Sequence, residues 1–279
     1  MKPRIAVVIP CYNYGRYLQE AVDSVLSAKR ADIELVIVDD GSTDPHTQRE
    51  IDRLSSEGFR VIRQPNSGVM VTRNAGIRAT TADYILPLDA DNRVRPAFFE
   101  RALEILDRDP RVGVVYGDAQ KFGMRSDRWV TGAFDREKLM STSYIDACAV
   151  FRREVWEQNG GYDASMPIQG LEDWDFWLGA LSHGWEFAYV PEILFDYRIE
   201  PGSLSTRSSV KLRAVEEFIA KKYAVLYRQA WIEMQRELFS LRATSDNLKK
   251  LLLRRIRNKF VRAENQEPDR WIQRLNKPR

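Results

Sequence analysis

Short apolar segments typical of β-strands alternate with helical patterns along the first 90 residues of the chain. The sequence predicts strands at 4–9, 34–38, 59–62 and 84–88, with helices at 17–26 and 69–79. Strand–helix–strand units build parallel sheets that helices cover. The alternation therefore predicts an α/β fold with a mostly parallel sheet and helices on both of its faces.

Polar side chains follow three of these predicted strands. They are Tyr12 and Asn13 after the first strand, Asp39 and Asp40 after the second, and Asp89 and Asp91 after the fourth. In open α/β sheets, ligands bind beyond the carboxyl ends of the strands. We therefore expect these side chains to meet at one edge of the sheet and to form a site there.

Asp89 and Asp91 form the pair with the clearest chemistry. Side chains alternate across an extended strand, so two acids separated by one residue should point the same way. Carboxylate oxygens are the hard ligands that Mg²⁺ and Mn²⁺ prefer. The alternative is a turn with exposed acids, because Asp and Asn are common turn formers.

Several classes of protein are disfavoured by what the sequence lacks. No Gly-x-Gly-x-x-Gly follows the first strand and no Gly-Lys-Ser/Thr phosphate loop occurs, which argues against a dinucleotide dehydrogenase and a P-loop NTPase. Cys11 and Cys148 have no metal-ligand spacing and provide no disulfide framework, which fits a reducing compartment.

The formal net charge of +3 conceals an asymmetry between the two ends of the chain. Residues 201–279 carry 19 Lys and Arg against 8 Asp and Glu, whereas residues 1–200 carry 24 against 32. Pro201, Gly202 and the following serines predict a boundary at about 203–209. We expect a basic helical C-terminal extension, with an amphipathic basic segment at 249–262.

No segment offers about 18 consecutive apolar residues, and the apolar run at 5–9 is too short for a signal peptide. We therefore expect a cytoplasmic protein, with peripheral contact on the inner face of the membrane as an option. Residues 111–197 contain short apolar runs at 112–116, 147–151 and 193–197. These runs predict a more antiparallel second half.

The motifs taken together resemble those of family 2 glycosyltransferases, which are nucleotide-sugar-dependent enzymes with the GT-A fold. The resemblance covers about residues 4–205 and rests on five stretches in the same order as in the family. They are Val8-Ile9-Pro10-Cys11-Tyr12-Asn13, Val38-Asp39-Asp40-Gly41-Ser42-Thr43-Asp44, Arg73-Asn74-Ala75-Gly76, Leu88-Asp89-Ala90-Asp91-Asn92 and Leu171-Glu172-Asp173-Trp174-Asp175.

The resemblance implies a nucleotide pocket built by the loops after the first two strands. Pro10 and Tyr12 would border the base, with the Tyr12 ring stacked on it, and Asp40 would accept a hydrogen bond from the base or the ribose. Asp39 would support the loop. Arg73 matches the family position that meets the base or the diphosphate. The alternatives are an exposed loop tyrosine and an ordinary surface arginine.

The resemblance also implies that Asp91 holds Mn²⁺ or Mg²⁺, with Asp89 contacting the ribose or a metal-bound water. Asp173 would be the general base, and Glu172 would position the acceptor or that base. The alternative for Asp173 is an acidic cap in the first turn of a helix at 170–181. Trp174 and Trp177 could stack on sugar, and packing in the core is an alternative of at least equal weight.

Arg198 and the following loop at 201–205 would reach the diphosphate, and the loop could close over the donor. Many relatives have a histidine where this chain has Glu200, and that departure weakens the expectation of a further phosphate or metal contact from this loop.

These observations predict an inverting, metal-dependent glycosyltransferase with a nucleotide-sugar-binding half at 1–110, an acceptor-binding half at 111–205 and a basic helical extension at 206–279. The expected donor is a UDP- or dTDP-sugar, and the expected acceptor is a glycan or lipid-linked glycan. The basic tail could pack on the domain, contact anionic membrane or bind a partner; no nucleic acid is expected. The alternative is a non-catalytic nucleotide-sugar-binding or assembly module. A nucleotidyltransferase is disfavoured because its Gly-rich triphosphate loop is missing.

Overall fold

The computed structural model describes residues 2–200 and 209–266. The strands are β1 (Ile5–Cys11), β2 (Ile33–Asp39), β3 (Arg60–Arg63), β4 (Tyr84–Pro87), β5 (Arg93–Val94), β6 (Val112–Gly123), β7 (Arg128–Trp129), β8 (Val150–Arg152) and β9 (Glu186–Ile199). The helices are α1 (Gly15–Leu26), α2 (Pro45–Ser56), α3 (Val69–Arg78), α4 (Pro96–Arg108), α5 (Arg136–Ser141), α6 (Arg153–Asn159), α7 (Glu172–Ser182), α8 (Ser209–Lys222) and α9 (Ala224–Gln266).

The strands of the described residues form one mixed sheet in the order β3-β2-β1-β4-β8-β6-β9-β5, with β7 paired to β6. The first four strands along the chain are parallel, as the sequence predicts: β1 pairs with β2 and β4, and β2 pairs with β3. Every residue of β1 is buried, which is typical of a central parallel strand covered by helices on both faces. The mixed α/β class is therefore confirmed.

The second half of the sheet is antiparallel only in part. β8 runs antiparallel to both β4 and β6, as predicted. However, β9 is much longer than the predicted strand at 193–197 and runs parallel to β6 along its length. Along the chain, β8 lies between β6 and β9 and runs antiparallel to β6. The chain therefore reverses direction before β8 and again before β9, so β6 and β9 point the same way.

Helix α3 approaches the sheet closely because it carries a glycine at the point of contact. A Cβ atom on Gly76 would overlap the side chain of Val8 and would lie 3.0 Å from Cγ2 of Val38. The neighbouring Asn74 is buried, and its side chain exchanges two 2.8 Å hydrogen bonds with the backbone of Tyr162. The first half of the chain is thereby tied to the second at the level of α3.

The chain divides into two compact units, Met1–Ala224 and Val225–Arg279. Helix α8 belongs to the first unit, where Val215 and Ile219 are buried and Lys222 pairs with Asp163 and Asp175. Residues 201–208 are outside the described residues. Most of the predicted boundary at 203–209 and all of the predicted lid at 201–205 lie there. The predicted extension includes α8, whereas the structure places that helix with the first unit. The division at 110 stays a prediction.

Helix α9 makes up the described part of the second unit as a single helix of 43 residues. Within 2–200 and 209–266, none of the helices has a stretch sufficiently long and apolar to span a bilayer.

Candidate active site

A cavity of about 540 Å³ lies at the carboxyl ends of β1, β2 and β4. It is lined by all nine of the site residues predicted from the sequence. They are Pro10, Tyr12, Asp40, Arg73, Asp89, Asp91, Glu172, Asp173 and Arg198. The structure thus brings the five motifs of the sequence to one place, while the role of each residue towards a ligand stays a prediction.

Asp89 and Asp91 lie in a turn after β4, not at the end of an extended strand. β4 ends at Pro87, and the amide of Asn92 donates to the carbonyl of Asp89 at 3.0 Å. Strand alternation is therefore the wrong reason for placing both carboxylates on one side, although both line the cavity. Burial and the nearby charge of Asp89 raise the pKa of Asp91 to about 7.

Arg198 holds the turn that carries Asp91. Its Nε donates to the carbonyl of Asp91 at 3.0 Å, and its amide donates to Oδ1 of Asn92 at 2.9 Å. The guanidinium lies 3.9 Å from the ring centre of Tyr17 and 4.3 Å from that of Phe122. The sequence predicts that Arg198 comes just after a strand at 193–197, but in the structure Arg198 belongs to β9 itself. The neighbouring Glu200 pairs with Arg16 at 2.8 Å.

Arg73 is buried between the two acidic motifs, with 2% of its side chain exposed. It forms ion pairs of 2.7 Å with both Asp89 and Glu172, and its guanidinium lies 5.5 Å from the ring centre of Tyr162. Burial opposes its charge, but Asp89 and Glu172 outweigh that effect and raise the pKa of Arg73. The alternative of an ordinary surface arginine is wrong.

The first turn of α7 presents Glu172 and Asp173 to the cavity. Glu172 is buried, and its Oε2 accepts a hydrogen bond from the amide of Gly170 at 2.5 Å while Oε1 accepts from Arg73. Oδ1 of Asp173 accepts from the amide of Trp174 at 2.7 Å and from Oγ of Ser143 at 3.4 Å. Burial, followed by the charge of Glu172, raises the pKa of Asp173.

The two tryptophans of α7 are core residues. Trp174 is 3% exposed and Trp177 is fully buried. Their indole N–H groups donate to the carbonyls of Leu139 and Ile145. These bonds fix the segment that carries Ser143, so the tryptophans shape the site from behind and do not stack on a sugar.

The loop after β2 is held by its own acids. Asp39 accepts from the amide of Ser42 at 3.0 Å. The carboxylate of Asp40 accepts from the amides of Ser67 and Gly68, both at 2.8 Å, and from the side chain of Gln64 at 2.7 Å. Asp40 therefore pins the loop before α3 in place, and most of its hydrogen-bonding capacity is used within the protein.

Asp146 lines the cavity but was not predicted from the sequence. It precedes β8 and accepts from the amide of Cys148 at 2.8 Å. Burial and the charge of Asp89 raise the pKa of Asp146 to about 7. No motif marks this position, because a single Asp before a short apolar run has no distinctive spacing. Only the folded chain reveals its place beside Asp89.

The residues present fit a divalent cation that carries phosphate. The cavity is lined by six acids and two arginines, and among the described residues no Lys or Arg forms an ion pair with Asp91, Asp146 or Asp173. Within that same part of the chain, no three side chains of His, Cys, Asp or Glu converge to hold an ion by themselves. Such a cation would take its remaining ligands from water and from the phosphates, as Mg²⁺ typically does.

Residues 6–160 match the family model described as "Glycosyl transferase family 2". The uncharacterized glycosyltransferase EpsJ of Bacillus subtilis is 30% identical over 239 residues, which cover 80% of this chain and 68% of EpsJ. Three other curated relatives are much longer, and the match spans between 20% and 26% of their length.

Solved structures share the fold at low sequence identity. S. aureus TarS, crystallised in complex with UDP-GlcNAc, has a TM-score of 0.58 and 16% identity, and the match covers 79% of this chain and 73% of TarS. The mannosyltransferase PcManGT from Pyrobaculum calidifontis, in complex with GDP-Man and Mn²⁺, has a TM-score of 0.56 and 20% identity. That match covers 73% of this chain and 59% of PcManGT.

Proposed function

The chain belongs to glycosyl transferase family 2 and has the GT-A fold, and on this premise we propose that it is an inverting, metal-dependent glycosyltransferase. The donor is a nucleoside-diphosphate sugar, and the acceptor is a glycan or lipid-linked glycan. The observation that carries the proposal is the single cavity lined by both Asp91 and Asp173. One carboxylate comes from the turn after β4, and the other comes from the first turn of α7.

The donor side of the cavity comprises Pro10, Tyr12 and Asp40, where the base and ribose bind. Asp91, with Asp89 beside it, would hold Mn²⁺ or Mg²⁺. When bound, the cation neutralises the charge that the departing diphosphate develops, an effect of several kcal/mol. Arg198 keeps Asp91 in position through its hydrogen bond to the Asp91 carbonyl. Arg73 keeps Asp89 and Glu172 together.

Asp173 acts as the general base on the acceptor. Its carboxylate takes the proton of one acceptor hydroxyl while that oxygen bonds to C1 of the donor sugar. The bond between C1 and the diphosphate oxygen breaks with its electron pair leaving on the diphosphate. Attack on the face opposite the leaving group inverts the configuration at C1. The products are the extended acceptor, the nucleoside diphosphate and a protonated Asp173.

The nucleotide sugars bound in solved structures of this fold support a nucleotide-sugar donor, but they contain different bases. TarS was crystallised with UDP-GlcNAc and PcManGT with GDP-Man, so both pyrimidine and purine donors occur on this fold. For this chain we favour a UDP- or dTDP-sugar. Mn²⁺ accompanies GDP-Man in PcManGT, which supports a divalent cation here.

The test is a panel of nucleotide sugars incubated with the purified chain in Mn²⁺, Mg²⁺ or EDTA, with and without glycan acceptors. We expect release of nucleoside diphosphate from one donor, dependent on the cation and abolished by Asp91→Asn or Asp173→Asn. Asp127→Asn, a change at a surface acid, is the matched control and should leave the rate unchanged. Product NMR then reports the configuration at C1.

Failure of every donor to bind in calorimetry would contradict the proposal. Donor binding with full activity in Asp173→Asn would remove the assigned base. Retention of configuration at C1 would remove the direct displacement.

We also propose that the basic C-terminal segment contacts an anionic membrane, where a lipid-linked acceptor would lie. Residues 249–262 carry seven Lys and Arg and no acid, and such a segment is attracted to anionic headgroups. We expect co-sedimentation of the full chain with vesicles to rise with their phosphatidylglycerol content and to fall with salt. Equal binding to neutral vesicles would contradict this electrostatic contact.

A further inference from the structure

Helix α9 exposes large apolar side chains along most of its described length. A helix of 43 residues is about 64 Å long, several times the usual length in globular proteins. Six of its exposed apolar side chains, with between 42% and 61% of their surface accessible, are Trp231, Met234, Leu238, Leu241, Leu248 and Leu252. Such a surface requires a partner.

These six residues follow a heptad repeat. Trp231 and Leu238 are seven residues apart, and Leu252 lies two heptads beyond Leu238. Met234, Leu241 and Leu248 form a second row with the same interval, offset by three residues. In heptad terms the first row occupies a positions and the second occupies d positions, and Ser245 is the polar member of the a row. A seam with this 3.5-residue period matches another helix that carries the same period.

We propose that α9 pairs with α9 of a second copy of this chain in a parallel, in-register coiled coil over residues 231–252. The occupant is a second copy because the repeat complements itself. Burying the exposed parts of the six side chains on both chains removes on the order of 1,000 Å² from water, which reaches the size of a specific interface.

The charges beside the seam select the parallel arrangement. In a parallel pair, each g position faces the e position of the next heptad on the partner. Glu237 at g then faces Arg242 at e, and the equivalent pair forms on the other side of the seam. In an antiparallel pair, e positions face one another, and that row contains Arg228, Arg242 and Lys249. Like charges would then meet, so the antiparallel pair is disfavoured.

Disulfide trapping tests both the pairing and its direction. In a parallel, in-register pair, residue 248 of one chain lies against residue 248 of the other, within disulfide range, whereas an antiparallel pair over 231–252 places the two copies of residue 248 towards opposite ends. We expect Leu248→Cys to form a covalent dimer in oxidised glutathione, which accepts the two electrons that the thiols lose. Phe239→Cys is the matched control. It is 77% exposed and lies at a b position outside the seam, so it should stay monomeric in denaturing gels. Cys11 and Cys148 are buried and should not interfere.

A second pair of variants reads the oligomeric state without oxidation. We expect light scattering to show a dimer for the full chain and for Phe239→Lys, and a monomer for Leu238→Lys. The two residues are neighbours in the sequence and both are exposed, but only Leu238 lies on the seam. A monomeric full chain at micromolar concentration would overturn the proposal.

A bilayer is the competing occupant of this face. If it covers this face, Leu238→Lys should weaken binding to neutral phosphatidylcholine vesicles more than Phe239→Lys does, and the Cys variants should not crosslink in solution. That combination would assign the apolar face to lipid and reject the coiled coil.

Discussion

Replacing Arg73 by Met tests how far the cavity depends on the buried bridge that Arg73 forms between Glu172 and Asp89. Arg73 pairs with Glu172, which is 8% exposed, and with Asp89, which is 37% exposed. Methionine fills a similar volume without charge, so the variant leaves Glu172 buried and unpaired. Asp89 reaches solvent and contributes less to the cost.

The magnitude follows from the burial of the pair. Removing one partner of a buried ion pair costs about 3–5 kcal/mol, because the remaining charge stays desolvated. For a unit of this size, such a loss lowers the melting temperature by roughly 10 °C. Glu172→Gln on the Arg73→Met background should restore part of the loss, because no buried carboxylate then remains unpaired at that position.

The assay is urea unfolding monitored by tryptophan fluorescence, in EDTA and at constant pH. Arg63→Met is the control, since its ion pair with Asp52 is exposed on both sides and should be worth less than about 1 kcal/mol. If Arg73→Met costs no more than Arg63→Met, the buried bridge does not stabilise the fold and the reasoning is refuted.

Three further predictions concern the site and its support. Asp91→Asn should lower cation-dependent release of nucleoside diphosphate at least about 100-fold, because several kcal/mol of leaving-group stabilisation depend on the cation; steady-state rates in Mn²⁺ measure this, and a rate within tenfold of the parent chain would exclude Asp91 as the principal ligand. The pKa of Asp173 is raised by burial and by Glu172, so kcat/KM should fall as the pH drops through that raised value, and Glu172→Gln should move this acid limb to lower pH; an unmoved limb would separate Asp173 from Glu172. Gly76→Ala should destabilise the chain by about 1–3 kcal/mol, because its Cβ would overlap Val8, and an unchanged urea midpoint would show that α3 can shift.

The parallel half of the sheet could be predicted from local patterns. The strand predictions at 34–38 and 84–88 each agree with β2 and β4 to within one residue at either end. Apolar runs and helical spacing are properties of neighbouring residues, so the sequence carries them directly. The partnership of β6 with β9 could not be predicted this way, because it depends on where the chain returns after α6 and α7.

The sequence by itself determined most of the chemical groups that line the site. The motifs around Asp40, Asp91 and Asp173 are short, and each follows or begins a recognisable element, so their residue types and order can be read without coordinates. The convergence of Asp40 and Asp91 on one edge follows from the parallel direction of β1, β2 and β4, whereas the position of Asp173 in α7 does not.

Only the tertiary structure decided how these groups are paired and held. Arg73 bonds Glu172 across 99 residues of sequence, and Arg198 fixes the turn of Asp91 across 107. Asp146 lines the cavity although no sequence motif includes it. Such contacts depend on the packing of distant elements against a common sheet. One arginine, Arg63, is therefore exposed at the surface, whereas Arg73 forms a buried bridge between two acids.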